Sequence, residues 1–162
     1  MKANHKIAAL KEIAGKAIAF GLSWVIGIGL GFAAAQNNAS RDSQPLMHIY
    51  NLYADEDGET HFRDITIEPA TEGPGGKVSA RFPATGIVFR TTEGSYNYDW
   101  HTAPQKQYVI NLDAAVKVTA SDGEWRVIGP GEILLVEDTR GRGHVSRAVD
   151  GKSRHSVFVT LD

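Results

Sequence analysis

Two patterns of hydrophobic and polar positions divide the chain. Residues 17–35 run for nineteen positions without a charge, whereas from Met47 onward short runs alternate apolar and polar residues. Between them the polar stretch "QNNASRDSQP" has the composition of a linker. The pattern therefore predicts a hydrophobic N-terminal helix within residues 1–35, a linker at 36–46 and an all-β domain at 47–162.

The alternating region is rich in Val, Ile, Thr and aromatic residues, which favour strands. Asp-Gly pairs at 57–58, 122–123 and 150–151 predict hairpin turns, because both residue types accept a positive φ. Many short strands at close intervals are typical of a sandwich or barrel. We predict ten strands, at residues 47–53, 61–67, 86–91, 96–101, 106–113, 116–120, 124–128, 132–137, 144–149 and 155–161.

The N-terminal segment has two interpretations. A basic leader from Lys2 to Lys16, an uncharged run and an Ala-x-Ala pattern before Gln36 predict a signal peptide cleaved near Ala35, and hence a periplasmic or secreted protein. The run also approaches the roughly 20 residues of a membrane helix, so a single-pass anchor with its lysines in the cytoplasm is the alternative. Contact with a membrane is expected only through this segment.

Composition excludes several kinds of function. The chain has 162 residues and no cysteine, which rules out disulfides, thiolate metal sites and cysteine nucleophiles. The formal charge of −2 includes a basic leader; beyond residue 35 there are 13 basic and 18 acidic residues, about −5 in net charge. Nucleic acid binding, which needs a concentrated basic surface, is not expected.

One predicted strand suggests a cavity. In "KQYVINLDAAVKV", Gln107, Val109 and Asn111 alternate with Tyr108 and Ile110, so the two sets face opposite sides of the sheet. If both sides are covered, the side that carries Gln107 and Asn111 is a polar cavity wall, where small antiparallel barrels keep ligands.

The stretches "DWHTAPQKQYVINLDA" and "VIGPGEILLVEDTRGRGHVSRAV" resemble the two motifs of the cupin superfamily, in particular its small single-domain bacterial members. The resemblance covers residues 85–160. It implies a double-stranded β-helix, which is the cupin jelly-roll barrel. It also implies a divalent metal held by two histidines and a glutamate of the first motif and a histidine of the second.

The match to these motifs is partial. His101 falls on the first histidine and His144 on the histidine of the second motif, but Ala103 stands for the second histidine and Gln107 for the glutamate. Alanine cannot bind a metal, and a neutral amide is a weak ligand. If iron, manganese, nickel or zinc is bound, we expect His61, His101 and His144 as its ligands, with open positions on the ion.

Each residue also has a structural interpretation. His101, at a strand end, is explained equally well by a hydrogen bond to Asp99 that satisfies its ring. His61 is explained equally well as an exposed residue at the rim of the domain. Trp100 is either a core aromatic or the apolar side of a pocket. Asn111 points to solvent if the choice of inner face is reversed. Glu137 and Asp138 fit a simple turn, "EDTRGRG".

The sequence leads to three functional hypotheses. The first is a metal-free barrel that binds a small polar or carboxylated molecule in a pocket lined by His101, Gln107, Asn111, His144 and Trp100. The second is a metal-dependent oxygenase, isomerase or lyase of a small acid; in any enzyme, His101 and His144 are the best acid–base pair. The third is a non-catalytic interaction protein, and a homodimer is an expectation that the cupin resemblance brings.

Overall fold

The computed structural model describes residues 45–162, and the predicted N-terminal helix, signal peptide and most of the linker lie outside the described residues. The described part is all-β and contains no helix, so it also contains no helix that is long and apolar enough to cross a membrane. Its strands are β1 (Met47–Ala54), β2 (Thr60–Ile67), β3 (Thr71–Gly73), β4 (Gly76–Val78), β5 (Gly86–Thr92), β6 (Asn97–His101), β7 (Gln107–Asn111), β8 (Val116–Ala120), β9 (Trp125–Ile128), β10 (Ile133–Glu137), β11 (His144–Ala148) and β12 (Arg154–Thr160).

These strands form two main sheets. One has six strands in the order β2-β1-β10-β7-β12-β5, and the other has four in the order β6-β11-β8-β9. Within the described chain, β1 and β10 pair in parallel and the remaining pairs are antiparallel. Crossing connections between two such sheets fit a jelly roll or β-barrel.

The core lies between the two sheets. Leu52 and Val136 come from the six-stranded sheet, and Val118 and Ile128 come from the four-stranded sheet, and all belong to one buried cluster. Each sits on the inward face of its strand, as the alternating pattern requires. The buried faces thus explain why these segments form strands with alternating apolar and polar positions.

The predicted turns occur where the glycines place them. Gly58 has φ +79° between β1 and β2, and Gly123 has φ +90° between β8 and β9. Asp150 and Gly151 both have positive φ between β11 and β12. All ten predicted strands are present with ends shifted by at most two residues, whereas the β3–β4 hairpin was not predicted.

Candidate functional site

A cavity of about 650 Å³ is lined by side chains from both main sheets. Its polar lining includes two arginines, two tyrosines and two histidines. No aspartate or glutamate from residues 45–162 lines it. The apolar floor of the cavity consists of Val109, Val116, Val118, Leu134, Val136 and Phe158. The size is that of a small-molecule site, and the mixture of an apolar floor with a few polar groups is typical of one.

His101 and His144 lie side by side in the cavity wall. They are direct partners in the pairing of β6 with β11, and their ring centroids are 4.2 Å apart. Tyr98 extends this aromatic row, because its ring centroid is 4.0 Å from that of His101. The two histidines that the motifs aligned are therefore neighbours in space.

His144 is held by a buried carboxylate. Its Nδ1 atom lies 2.6 Å from Oδ2 of Asp138, which is completely buried and which follows the end of β10. Because a carboxylate oxygen accepts, Nδ1 of His144 donates this hydrogen bond. No described residue forms a hydrogen bond with Nε2 of His144, and His144 lines the cavity. Asp138 is thus more than the turn residue that the sequence suggested.

His101 is oriented by the backbone. Its Nδ1 atom donates a 2.6 Å hydrogen bond to the carbonyl oxygen of Asp99, and not to the Asp99 carboxylate. Burial lowers the pKa of His101 below its ordinary value, and the neighbouring His144 adds to this effect. The neutral ring therefore presents Nε2 as a hydrogen-bond acceptor or a base.

A bulge decides which aromatic side chains of β6 enter the cavity. His144 pairs with His101 and Ser146 pairs with Tyr98, so four residues of β6, from Tyr98 to His101, lie opposite three residues of β11. Tyr98 and His101 both line the cavity for this reason. Trp100 lies between them, is 53% exposed and does not line the cavity.

Strand β7 follows the predicted alternation. Gln107 and Val109 line the cavity, whereas Tyr108 and Ile110 line a smaller apolar groove of about 220 Å³ on the other face. Asn111 is fully buried on the cavity side but does not line the cavity; its amide donates to the carbonyl oxygen of Ile128 at 2.8 Å. Asn111 therefore ties β7 to the end of β9.

His61 lies outside the cavity lining. Its Nε2 atom is 3.0 Å from Oδ2 of Asp55, and its Nδ1 atom is 2.7 Å from Oδ2 of Asp122. The hydrogen bond with Asp55 raises the pKa of His61, and Asp122 raises it further. Both ring nitrogens are thus used by carboxylates. The structure brings His101 and His144 together and does not bring His61 to them.

These residues do not fit the four-ligand set that the resemblance implies. Ala103 and Gln107 both line the cavity, but they replace a histidine and a glutamate with side chains that bind metals poorly or not at all. Within residues 45–162, no group of three or more His, Asp, Glu or Cys side chains is arranged so that it could hold a metal ion.

Two arginines in the cavity were missed by the sequence analysis. Arg90 and Arg154 both line it, and Arg154 is only 5% exposed. The available signal was the period of two in β12, where Arg154 shares its face with Ser156 and Phe158. A charged residue on the inward face of a strand is uncommon and marks a site.

Comparisons with known proteins add little to this description. No protein-family model matches the chain, and no curated protein matches it. A conserved Streptococcus pyogenes protein of unknown function is 18% identical, with 52% of this chain and 69% of that chain covered and a TM-score of 0.40. A Neisseria meningitidis protein is 21% identical, with 50% and 79% covered and a TM-score of 0.39. A proposed ethanolamine utilization protein Q of Salmonella typhimurium is 9% identical, with 71% and 95% covered and a TM-score of 0.37.

At such identities and TM-scores, these likenesses identify neither a family nor an activity. The architecture itself defines the class. An all-β domain of two main sheets, with a cavity lined from both, fits a cupin-like fold.

Proposed function

We propose that the cavity binds a small molecule that is polar or carboxylated. The observation that carries this proposal is the cavity itself, whose apolar floor lies among a few polar side chains. Free Nε2 atoms on His101 and His144 would accept hydrogen bonds from a ligand or, when protonated, donate them. Arg90 and Arg154 supply positive charge without a lining carboxylate to neutralise it.

The proposal is tested by filling part of the cavity. Val88 lines the cavity and is 53% exposed on the edge strand β5, so a Val88→Trp substitution can obstruct the cavity without disturbing the buried core. Ile87 is the adjacent residue on the opposite face of β5, is 62% exposed and does not line the cavity, which makes Ile87→Trp the matched control.

Thermal unfolding should be measured with a library of small acids, alcohols and amides. A ligand at a hundredfold excess over its dissociation constant stabilises the folded protein by about 2.7 kcal/mol. We expect ligands to stabilise the wild type and Ile87→Trp but not Val88→Trp. Equal stabilisation of both variants would place binding outside the cavity and refute the proposal.

Proton transfer to or from the bound molecule is a second candidate. It is favoured by the Asp138–His144 hydrogen bond together with the free Nε2 of His101, since a held imidazole beside a neutral one can serve as an acid–base pair. Wild-type protein should exchange a carbon-bound hydrogen of a bound acid for deuterium, and His101→Gln should bind the acid without exchange. An exchange rate unchanged by His101→Gln would rule out this role.

The metal-dependent alternative makes a different prediction. Oxygenase, isomerase or lyase activity through a metal requires near-stoichiometric iron, manganese, nickel or zinc that both His101→Ala and His144→Ala lose. Elemental analysis of protein purified without a chelator measures this directly. Ligand binding that is insensitive to a chelator supports the metal-free proposal.

We also propose that the protein acts outside the cytoplasm or tethered to a membrane. This part rests on the basic leader and uncharged run of residues 1–35 alone. N-terminal sequencing tests it, because a mature protein that begins at Gln36 supports cleavage. An intact N-terminus in the membrane fraction supports the anchor, and an intact N-terminus in the soluble cytoplasm would contradict both.

A further inference from the structure

Arg154 is a buried cation without a partner among the described residues. It begins β12, faces the cavity and is 5% exposed. Its Nε atom is buried without a hydrogen bond, and no carboxylate of residues 45–162 forms an ion pair with its guanidinium. A buried charge is costly unless it is paired, so Arg154 is a candidate for binding an anion.

Arg90 places a second positive charge in the same cavity. Its guanidinium carbon lies 5.5 Å from the ring centroid of Tyr96 and 5.6 Å from that of Phe158, so two aromatic rings hold it. It too has no carboxylate partner among the described residues. Burial lowers the pKa of Arg154 and the charge of Arg90 lowers it further, whereas Tyr96 and the more distant carboxylate of Asp113, which forms no ion pair with it, raise it.

The rest of the cavity is suited to an apolar body. Phe158 belongs both to the apolar floor and to the pair of rings around Arg90, so the charged and apolar parts of the lining meet there. Burying a hydrocarbon chain against the valines of the floor removes apolar surface from water, which favours binding. A ligand that uses the whole cavity therefore carries one anionic head and an apolar tail.

We propose that Arg154 and Arg90 bind the carboxylate of an amphipathic acid whose apolar part lies on the apolar floor. This inference rests on the proposed binding function and specifies its ligand class. A carboxylate is favoured because its two oxygens match guanidinium donors. A phosphate ester has a third charged oxygen, which needs a donor of its own. The nearby hydroxyl of Tyr96 is already engaged, because it lies 2.7 Å from Oγ of Ser146.

The binding test compares octanoate with octanamide, which have the same length but differ in charge, and with octyl phosphate. Calorimetry should give octanoate an affinity for the wild type about tenfold to hundredfold above that of octanamide, as expected for a charged hydrogen-bonded pair. Arg154→Met and Arg90→Met should lose this difference. Arg147→Met is the matched control, since Arg147 is exposed on β11 and does not line the cavity.

The stability test separates a binding arginine from a structural one. If Arg154 awaits an anion, then Arg154→Met in ligand-free protein leaves the unfolding midpoint unchanged or raises it, because an unpaired buried charge is removed. If Arg154 holds the fold together, the same substitution lowers the midpoint strongly. A strong loss of stability would overturn the inference for Arg154; if the Arg154→Met protein does not fold at all, Arg90→Met, at an exposed position, tests the carboxylate preference instead.

The remaining outcomes also distinguish the two proposals. Octanamide binding as tightly as octanoate would overturn the carboxylate assignment and leave the binding function intact. A preference for octyl phosphate would move the assignment to phosphate esters and likewise overturn it. Failure of all three probes, together with no effect of the library on the wild type, would refute the binding function itself.

Discussion

A substitution at Gly143 tests quantitatively how closely the backbone at this position must approach His101. Gly143 precedes His144 and has φ +72°, in the left-handed region. A Cβ atom at this position would lie 2.1 Å from the carbonyl oxygen and 2.4 Å from the carbonyl carbon of His101. No real side chain tolerates such contacts, so Gly143→Ala must shift the backbone that carries His101.

The magnitude has two parts. Left-handed backbone at an L-residue costs about 1–2 kcal/mol. Displacing a tightly packed neighbour costs about 1–3 kcal/mol more. We therefore expect Gly143→Ala to lower the free energy of unfolding by about 2–5 kcal/mol, which is a large part of the roughly 5–15 kcal/mol of a typical domain.

Gly123 is the matched control. It has φ +90° in the β8–β9 turn, but a Cβ atom there would have no heavy atom within 4 Å. Gly123→Ala should therefore cost only the backbone part, about 1–2 kcal/mol. Urea unfolding followed by tryptophan fluorescence measures both variants. Equal losses in the two variants would show that Gly143 does not need to approach His101 so closely, and would refute the reasoning.

Acidification should destabilise the protein partly through His101. Burial and the neighbouring His144 lower the pKa of His101 in the folded protein. Just below the ordinary value of 6.5, the unfolded chain therefore binds a proton that the folded chain does not. Urea unfolding at about pH 7.5 and about pH 5.5 should show a smaller loss for His101→Gln than for the wild type, and an equal loss would contradict this. Asp138→Ala should lower the free energy of unfolding by about 1.5–3 kcal/mol, because the hydrogen bond to His144 is lost. Asp138→Asn should lower it less, since an amide oxygen can still accept this hydrogen bond. Similar losses for the two variants in chemical denaturation would contradict a role for Asp138 in holding His144. A homodimer through the edge strand β5 should bring Phe89, the central residue of that strand, next to Phe89 of the second copy. Phe89 is 80% exposed, and the chain has no cysteine. Phe89→Cys should therefore form a disulfide-linked dimer on mild oxidation. Trp125→Cys, on the exposed edge strand β9, is the control, and a wild type that light scattering finds monomeric would exclude this dimer.

The strands could be predicted because each has one buried face and one face that is exposed or covered differently. Apolar and polar residues therefore alternate along the strand with a period of two. Gly58, Gly123 and Gly151 marked their turns for an equally local reason, the positive φ that each adopts. The β3–β4 hairpin, from Thr71 to Val78, left no such signal, because its strands are three residues long and rich in glycine.

The site could be predicted only where its signal was local. The parity of β7 placed Gln107 toward the cavity, and the motif resemblance aligned His101 with His144. The bulge in β6, which leaves Trp100 outside, depends on pairing with β11 and has no signature in a single strand. The pairing of His61 with Asp122 joins residues that are 61 positions apart, and alternation along one strand says nothing about such contacts.

The charge of the cavity connects the partial metal motif with the pair of arginines. The cupin resemblance expects a glutamate at position 107 and a histidine at position 103, and the chain has a neutral glutamine and an alanine there. Arg90 and Arg154 add two positive charges to the same lining, and no described carboxylate joins it. Fewer negative groups and more positive ones make the cavity a better environment for an anion than for a cation, because in a partly desolvated site uncompensated charge dominates the interaction energy. Gln107, in place of the expected glutamate, therefore both weakens the expected metal site and favours a carboxylate ligand.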